Sequence, residues 1–153
     1  MKVRNTWLSP RRLPSGFRLH GESAGLKVHE FSGSGEQIAL RYRVPGTPWG
    51  IGSEITVCWT PEADVELTGT MGHAGVPVNV NGKAATYHDG YWMPGPGPDQ
   101  VSIADGKGSA HWGRDFVHSL TLRTGNGVIG LRCPRAVVPD LSGLTDILAS
   151  IAL

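Results

Sequence analysis

Two groups of residues in this 153-residue chain are of types that move protons or hold metals. The first is His88-Asp89, an imidazole beside a carboxylate just ahead of Gly90. Such a pair works as an acid–base couple only if the chain turns there, because neighbours in a strand point to opposite faces. A His-Asp-Gly turn in which the aspartate bonds local backbone is the competing reading. The second group is His111, His118 and Cys133, which would hold a metal ion if two strands aligned them and His73 or His88 completed the set. No spacing in the sequence enforces that convergence. His118 sits in an alternating run and reads as a buried imidazole satisfied by backbone. The expectation is therefore no metal site, no cofactor and no committed catalytic residue. An enzymatic reading would rest on His88, Asp89 and His118.

Other chemistries lack their signatures. There is no Gly-x-Ser-x-Gly elbow and no phosphate loop. Gly33-Ser34-Gly35 and Gly95 to Gly97 are not followed by a helical pattern that would cradle phosphate. Arg41 and Arg43 flank Tyr42, but alternation turns the ring away from the two cations, so nucleic acid is not an expected partner. The segment from Tyr87 to Asp99 stands out instead. It places Tyr87, Tyr91, Trp92 and Met93 before a Pro-Gly run that cannot be helix or interior strand, and reads as a rigid surface loop. With Trp49 these side chains would wall an apolar pocket or a partner surface. Alternatively, Tyr87 and Trp92 cap the open end of a sheet.

The elements that must position these residues are organised by the last third of the chain. Val117 to Arg123 alternates, and Ile129, Leu131 and Cys133 repeat the period beyond Gly125-Asn126-Gly127. Glycine and asparagine at the tip supply the positive φ of a tight hairpin turn. A turn at Gly125-Asn126 pairs Leu122 with Ile129, Leu120 with Leu131 and His118 with Cys133. A one-residue move pairs Leu122 with Leu131 and Leu120 with Cys133, and either register keeps the same face. After Pro139, Asp140 or Ser142 can cap a helix whose apolar stripe is Leu141, Leu144, Ile147, Leu148, Ile151 and Ala152.

Upstream, strands are expected at Gly16–His20, Lys27–Phe31, Gln37–Val44, Glu54–Trp59, Asp64–Thr68 and Val101–Ile103, with a turn from Asp105 to Gly108. Val76, Val78 and Val80 lead to Asn81-Gly82, a strong hairpin signal. No helix alternates with these strands. The fold expected is α+β: a curved antiparallel sheet of about eight to ten short strands with one C-terminal amphipathic helix packed on a face.

Length fits one domain, residues 15–153, behind a basic irregular arm at 1–14 that carries Lys2, Arg4, Arg11 and Arg12 around Trp7. The net charge of +1 gives no global field toward nucleic acid or membrane. Its distribution is uneven: residues 1–43 hold eight Lys and Arg against three Glu, and residues 44–82 hold four acids and no Lys or Arg. Cys58 and Cys133 fall on different faces by parity, which argues against a disulfide. No apolar run is long enough to span a membrane, and the N-terminus lacks a signal-peptide core. The location expected is cytoplasmic as the sequence is written, and extracytoplasmic if the start is truncated.

One pattern resembles a known domain. It consists of Leu13-Pro14-x-Gly16-Phe17, then Pro77-Val78-x-Val80-Asn81-Gly82-x-Ala84 with Tyr87, then Leu144-x-x-Ile147-Leu148-x-Ser150-Ile151. This frame resembles an uncharacterised domain found beside anti-sigma-factor modules and in proteins similar to bacterial lipoprotein-sorting carriers. The resemblance implies antiparallel sheet with a terminal helix, a place outside the cytoplasmic membrane behind an anchor, and no catalytic residues. The functional expectation is a non-enzymatic binding or sensing module that presents the 87–99 loop to a protein, a peptide or a small apolar or lipid-like ligand. Two alternatives stand beside it. One is a small enzyme using His88, Asp89 or His118 in the sheet concavity. The other is a structural subunit that assembles through an exposed edge strand such as Gln37–Val44.

Overall fold

The computed structural model describes residues 5–48, 50–98, 100–102 and 108–151, and the backbone alone of Ile51. Trp49, Asp99, Ile103, most of the expected 105–108 turn and Ala152 lie outside the described residues. Ten strands appear among the described residues: β1 (Arg18–Gly25), β2 (Gln37–Arg43), β3 (Ile55–Thr60), β4 (Val76–Val80), β5 (Lys83–His88), β6 (Tyr91–Pro94), β7 (Val101–Ser102), β8 (Ser109–Gly113), β9 (Val117–Thr124) and β10 (Gly127–Pro134). One helix, α1 (Leu141–Ala149), follows them. Seven strands form an open, curved antiparallel sheet in the order β1-β2-β3-β10-β9-β5-β4, and β6-β8-β7 form a second small sheet. This is the α+β architecture expected from the sequence.

The β9–β10 hairpin takes the first of the two registers: Leu122 faces Ile129, Leu120 faces Leu131 and His118 faces Cys133. The positive φ near its tip belongs to Gly127, at +139°, rather than to Gly125 or Asn126. A side chain on Gly127 would collide with the Thr60 carbonyl at 2.0 Å, so glycine is required there for close approach as well. The β4–β5 turn is the two-residue type with both centres left-handed, Asn81 at φ 52° and Gly82 at 81°. Pro77 is tolerated in β4 because that strand is an edge.

One face of the large sheet is aliphatic. Leu40, Ile55, Val57, Leu120, Leu122, Leu131 and Cys133 form it, and α1 covers it with Leu144, Ile147, Leu148 and Ile151. Asp140 caps the helix, its carboxylate accepting from Gly143 N–H at 3.0 Å. The N-terminal segment is tied to this layer. Leu8 is fully buried in it, and the N–H groups of Arg11 and Arg12 donate to Ser150 Oγ at 3.0 Å.

Three expectations need correction. Lys27–Phe31 and Asp64–Thr68 are not strands; they meet in a single Phe31–Leu67 bridge. The cause is Gln37, 1 % exposed, whose side-chain oxygen accepts the N–H groups of Glu30 and Phe31 at 2.8 and 3.0 Å and whose amide donates to the carbonyls of Phe31 and Gly33. A side chain thus takes the bonds that a strand partner would have taken. The Tyr87–Asp99 stretch is not one loop, because Tyr87 ends in β5 while Tyr91 to Pro94 form β6. Finally, β2 is an inner strand between β1 and β3, so Gln37–Val44 offers no free edge.

Candidate functional site

Tyr87 and His118 lie on the helix-covered face. The Tyr87 hydroxyl is 2.9 Å from His118 Nδ1, and His118 Nε2 is 2.5 Å from the Val138 carbonyl. A carbonyl only accepts, so Nε2 carries the proton and Nδ1 accepts from tyrosine. His118 is fully buried, and burial pushes its pKa down, keeping it neutral. Its role in this position is to bind β9 to the segment that leads into α1.

His88 is on the opposite face, next to Tyr87 in the alternation of β5. Its Nε2 donates to the His73 carbonyl at 2.9 Å, while Nδ1 is buried without a partner. Burial lowers its pKa too. Asp89 does not face His88: its carboxylate accepts from Trp112 Nε1 at 2.8 Å and Arg114 Nε at 3.1 Å. Partial burial pushes the Asp89 pKa up, but these two donors outweigh it and hold the carboxylate below its ordinary value. His88, Asp89 and His118 therefore share no pocket. The same partition separates His118 and Cys133 from His73 and His88, while His111 bonds the Gly95 carbonyl at 3.1 Å.

The aromatic residues are also divided. Trp92 packs edge-on against Trp112 across β6 and β8, with centroids 5.2 Å apart, and donates from Nε1 to the Met71 carbonyl at 2.9 Å. His73 stacks on Trp112 at 3.5 Å and 8°. Met93 lies beside Gly113 in the same small sheet. Tyr91 turns toward the large sheet.

There it meets a row of polar side chains. Cross-strand register places Arg41 opposite Thr56, Thr56 opposite Arg132, Arg132 opposite Ser119 and Ser119 opposite His88. Directly opposed residues point to the same face, so five neighbouring strands present one polar ladder on the side away from α1. Cys58 and Gly130 lie in the next row. Arg132 donates from Nη1 to the Tyr91 hydroxyl at 3.3 Å and from Nη2 to Thr56 Oγ1 at 3.1 Å. Its guanidinium carbon stands 5.4 Å from the Tyr91 ring centroid, within range of a cation–π contact. Gly69 admits the Tyr91 ring, since a Cβ at that position would lie 1.6 Å from Tyr91 Cε2.

Of these residues, Thr56, Gly69, Tyr91, Ser119 and Arg132 line a cavity of about 100 Å³, with Glu30, Cys58 and Leu67 among its other walls. Arg41 is paired with Glu30 at 2.6 Å and Glu54 at 3.7 Å, whereas Arg132 has no carboxylate partner among the described residues. Arg132 Nε and Ser119 Oγ are buried and make no hydrogen bond. Ser119 is 1 % exposed. Although it stands opposite His88, no hydrogen bond joins Oγ to Nδ1, so no activated hydroxyl is assembled. Cys58 donates weakly to the Gly130 carbonyl at 3.6 Å, and burial raises its thiol pKa well above the ordinary range. The cavity can therefore bind through donors, but it lacks a nucleophile poised beside a base.

A larger, open groove of about 570 Å³ runs along Trp7, Trp59 and Ile129 to Lys83 and Asn126. Trp7 and Trp59 meet edge-on at 5.3 Å. The polar ladder has a sequence signal of its own. Arg132 falls in the alternation opposite Ile129, Leu131 and Cys133, on the face of Val128 and Gly130, and a charged residue in a central strand needs a reason to be there. No family model, curated protein or solved structure matches the chain.

Proposed function

We propose that the chain is a non-enzymatic binding module whose ligand site is the polar cavity between Tyr91, Arg132 and Ser119. One observation carries this reading: Arg132, a guanidinium with no carboxylate partner among the described residues, lines a polar cavity with Thr56, Tyr91 and Ser119, and both Arg132 Nε and Ser119 Oγ are buried there without a hydrogen-bond partner. Leaving a buried donor unsatisfied costs about 1–3 kcal/mol, a cost that a bound molecule would remove once the two side chains turn to meet it. The volume, about 100 Å³, suits a small polar molecule rather than a peptide. Of the aromatic residues singled out from the sequence, Tyr91 takes part directly. Trp92 supports the small sheet from which Tyr91 projects.

A thermal-shift screen of small polar compounds against the wild type and Ser119→Ala tests the reading. Ser119→Ala removes a buried hydroxyl that bonds nothing, so its unliganded Tm should equal or exceed that of the wild type. The reading expects at least one compound to raise the wild-type Tm with saturation and to do so less in the variant. A screen in which every shift is equal in both proteins would overturn it.

A second reading has its own observation. The Trp7–Trp59 groove has the volume usual for organic ligands and an apolar floor with Lys83 and Asn126 at its rim. It would take an apolar molecule with a polar end. Tryptophan fluorescence titrated with such a ligand should change in the wild type and not in Trp59→Leu.

A further inference from the structure

We infer that residues 66–73 form a strap over the Arg132 cavity that protonation of His88 releases, so that the cavity opens in acid; this rests on the binding-module reading above. The strap crosses the polar face of the large sheet, with Leu67, Thr68 and Gly69 in the wall of the cavity and Thr70 and His73 beside Thr86, His88 and Thr121. Its two halves are held differently. The first half is fixed by backbone: Ser32 N–H donates to the Glu66 carbonyl at 2.8 Å and Thr68 N–H to the Glu30 carbonyl at 2.9 Å, while Leu67 packs with Phe31 and Cys58. The backbone bonds of the second half stay within the strap, from Thr70 N–H to the Leu67 carbonyl and from His73 N–H to the Thr70 carbonyl. Side chains alone tie it down. Trp92 Nε1 donates to the Met71 carbonyl, His88 Nε2 donates to the His73 carbonyl, and the His73 ring stacks on Trp112.

The hold from His88 depends on its being neutral. The residue is 9 % exposed, its Nε2–H is used on His73, and Nδ1 is buried with no partner. A second proton, on Nδ1, would be a donor without an acceptor and a charge out of water. The charged groups around the ring do not compensate it. The His73 ring lies 6.1 Å away on the strap, and Arg123 of β9 lines the same hollow. Ser119 stands opposite His88, with Arg132 in the strand beyond. Of the acids, Glu66 already accepts Gly72 N–H at 2.7 Å, and Asp89 is taken by Trp112 and Arg114, with Arg135 on its carbonyl. The proton is therefore taken up more readily once the second half lifts and water reaches the ring, in line with the lowered pKa of buried His88. Below about pH 6.5 the open form binds a proton that the closed form resists, so opening grows as pH falls. One proton allows at most about tenfold more opening at pH 5.5 than at pH 7.5. Lifting this half withdraws Gly69 from the Tyr91 ring it now admits and uncovers the row at His88 and Ser119.

The test is amide hydrogen exchange by NMR at pH 5.5 and pH 7.5, corrected for the intrinsic rate at each pH, on the full chain and on His88→Gln. Both values lie above the ordinary range of carboxylates. The reporters are the Thr70, Gly72 and His73 amides, with Leu120 and Leu131 of the central strands as the reference for global unfolding. Expected in the wild type is several-fold more opening of the strap at pH 5.5, up to about tenfold, while Leu120 and Leu131 stay far better protected. His88→Gln should lose the pH dependence at the strap. In Ser119→Cys, a neutral pyridyl disulfide should label the introduced thiol faster at pH 5.5 than at pH 7.5, relative to free cysteine at the same pH. Strap opening that does not change with pH overturns the inference. So does a pH dependence that survives His88→Gln, or strap amides that exchange no faster than Leu120 and Leu131. If His88→Gln does not fold, the titration of the wild-type His88 ring decides: a ring that titrates without any change at the strap amides overturns the switch. Strap amides that open while labelling of Ser119→Cys stays constant overturn the gating of the cavity. None of these readouts uses a ligand, so their failure leaves the binding module to be decided by the compound screen.

Discussion

Gly69→Ala should act on the site through Tyr91 alone. A methyl group there would lie 1.6 Å from Tyr91 Cε2, 1.8 Å from Cζ and 2.4 Å from the hydroxyl oxygen. Ordinary carbon contacts are roughly 3.5–4.0 Å, so the ring must move by more than an ångström. That displacement breaks the 3.3 Å hydrogen bond from Arg132 and the stacking of its guanidinium over the ring. Overpacking of this kind costs about 1–3 kcal/mol. For a chain of this length, about 2–4 °C of Tm follows each kcal/mol. Urea unfolding of the wild type, Gly69→Ala, Tyr91→Ala and the double variant isolates the term. With the ring removed the methyl has space, so the double variant should match Tyr91→Ala within about 0.5 kcal/mol. If the two substitutions add, or if Gly69→Ala costs nothing, Tyr91 does not occupy the place beside Arg132 described above.

Three further outcomes follow from named contacts. Tyr87→Phe leaves His118 Nδ1 buried without its donor and should cost about 1–3 kcal/mol in urea unfolding, with no effect on ligand binding at the other face. Asp140→Ala removes the acceptor for Gly143 N–H and should cost about 1 kcal/mol. Stability should fall as pH drops below about 6.5. The native pKa values of His88 and His118 lie below that ordinary value, so the unfolded chain takes up protons first and unfolding is favoured. Each imidazole that stays neutral contributes a slope of up to about 1.4 kcal/mol per pH unit, seen as a lower urea midpoint at pH 5.5 than at pH 7.5. A midpoint that rises on acidification would contradict the neutral, buried placement of both.

The fold was legible where periodicity and turn chemistry agreed. The β9–β10 and β4–β5 hairpins and the α1 stripe are read from alternation, from glycine and asparagine at the tips, and from Asp140 as a cap. The separation of Cys58 from Cys133 also follows from parity alone. Residues 27–31 carry the apolar pattern of a strand, yet a single glutamine side chain supplies the bonds. No local pattern reports such a substitution. The candidate site was hidden for a different reason. Its residues come one from each strand, and only the register of the whole sheet brings Thr56, Ser119 and Arg132 into one row. Arg132 alone carries a local signal, a cation in a central strand. His88-Asp89 is adjacent only in sequence: β5 ends at His88, whose ring turns to the His73 carbonyl, while Asp89 turns to Trp112 and Arg114.

The most direct measurement is the NMR signal of Arg132 Nε–H, with Arg41 Nε–H as the control on the same face. Arg41 is already paired, through Nη2 with Glu30 and through Nε with Glu54, so its signal should stay in place through a titration with the compounds that raise Tm. The Arg132 signal should move downfield with saturation at the same concentrations as the thermal shift. An Arg132 signal that does not move while the protein is demonstrably liganded would place the ligand elsewhere and end the account of this cavity as the binding site.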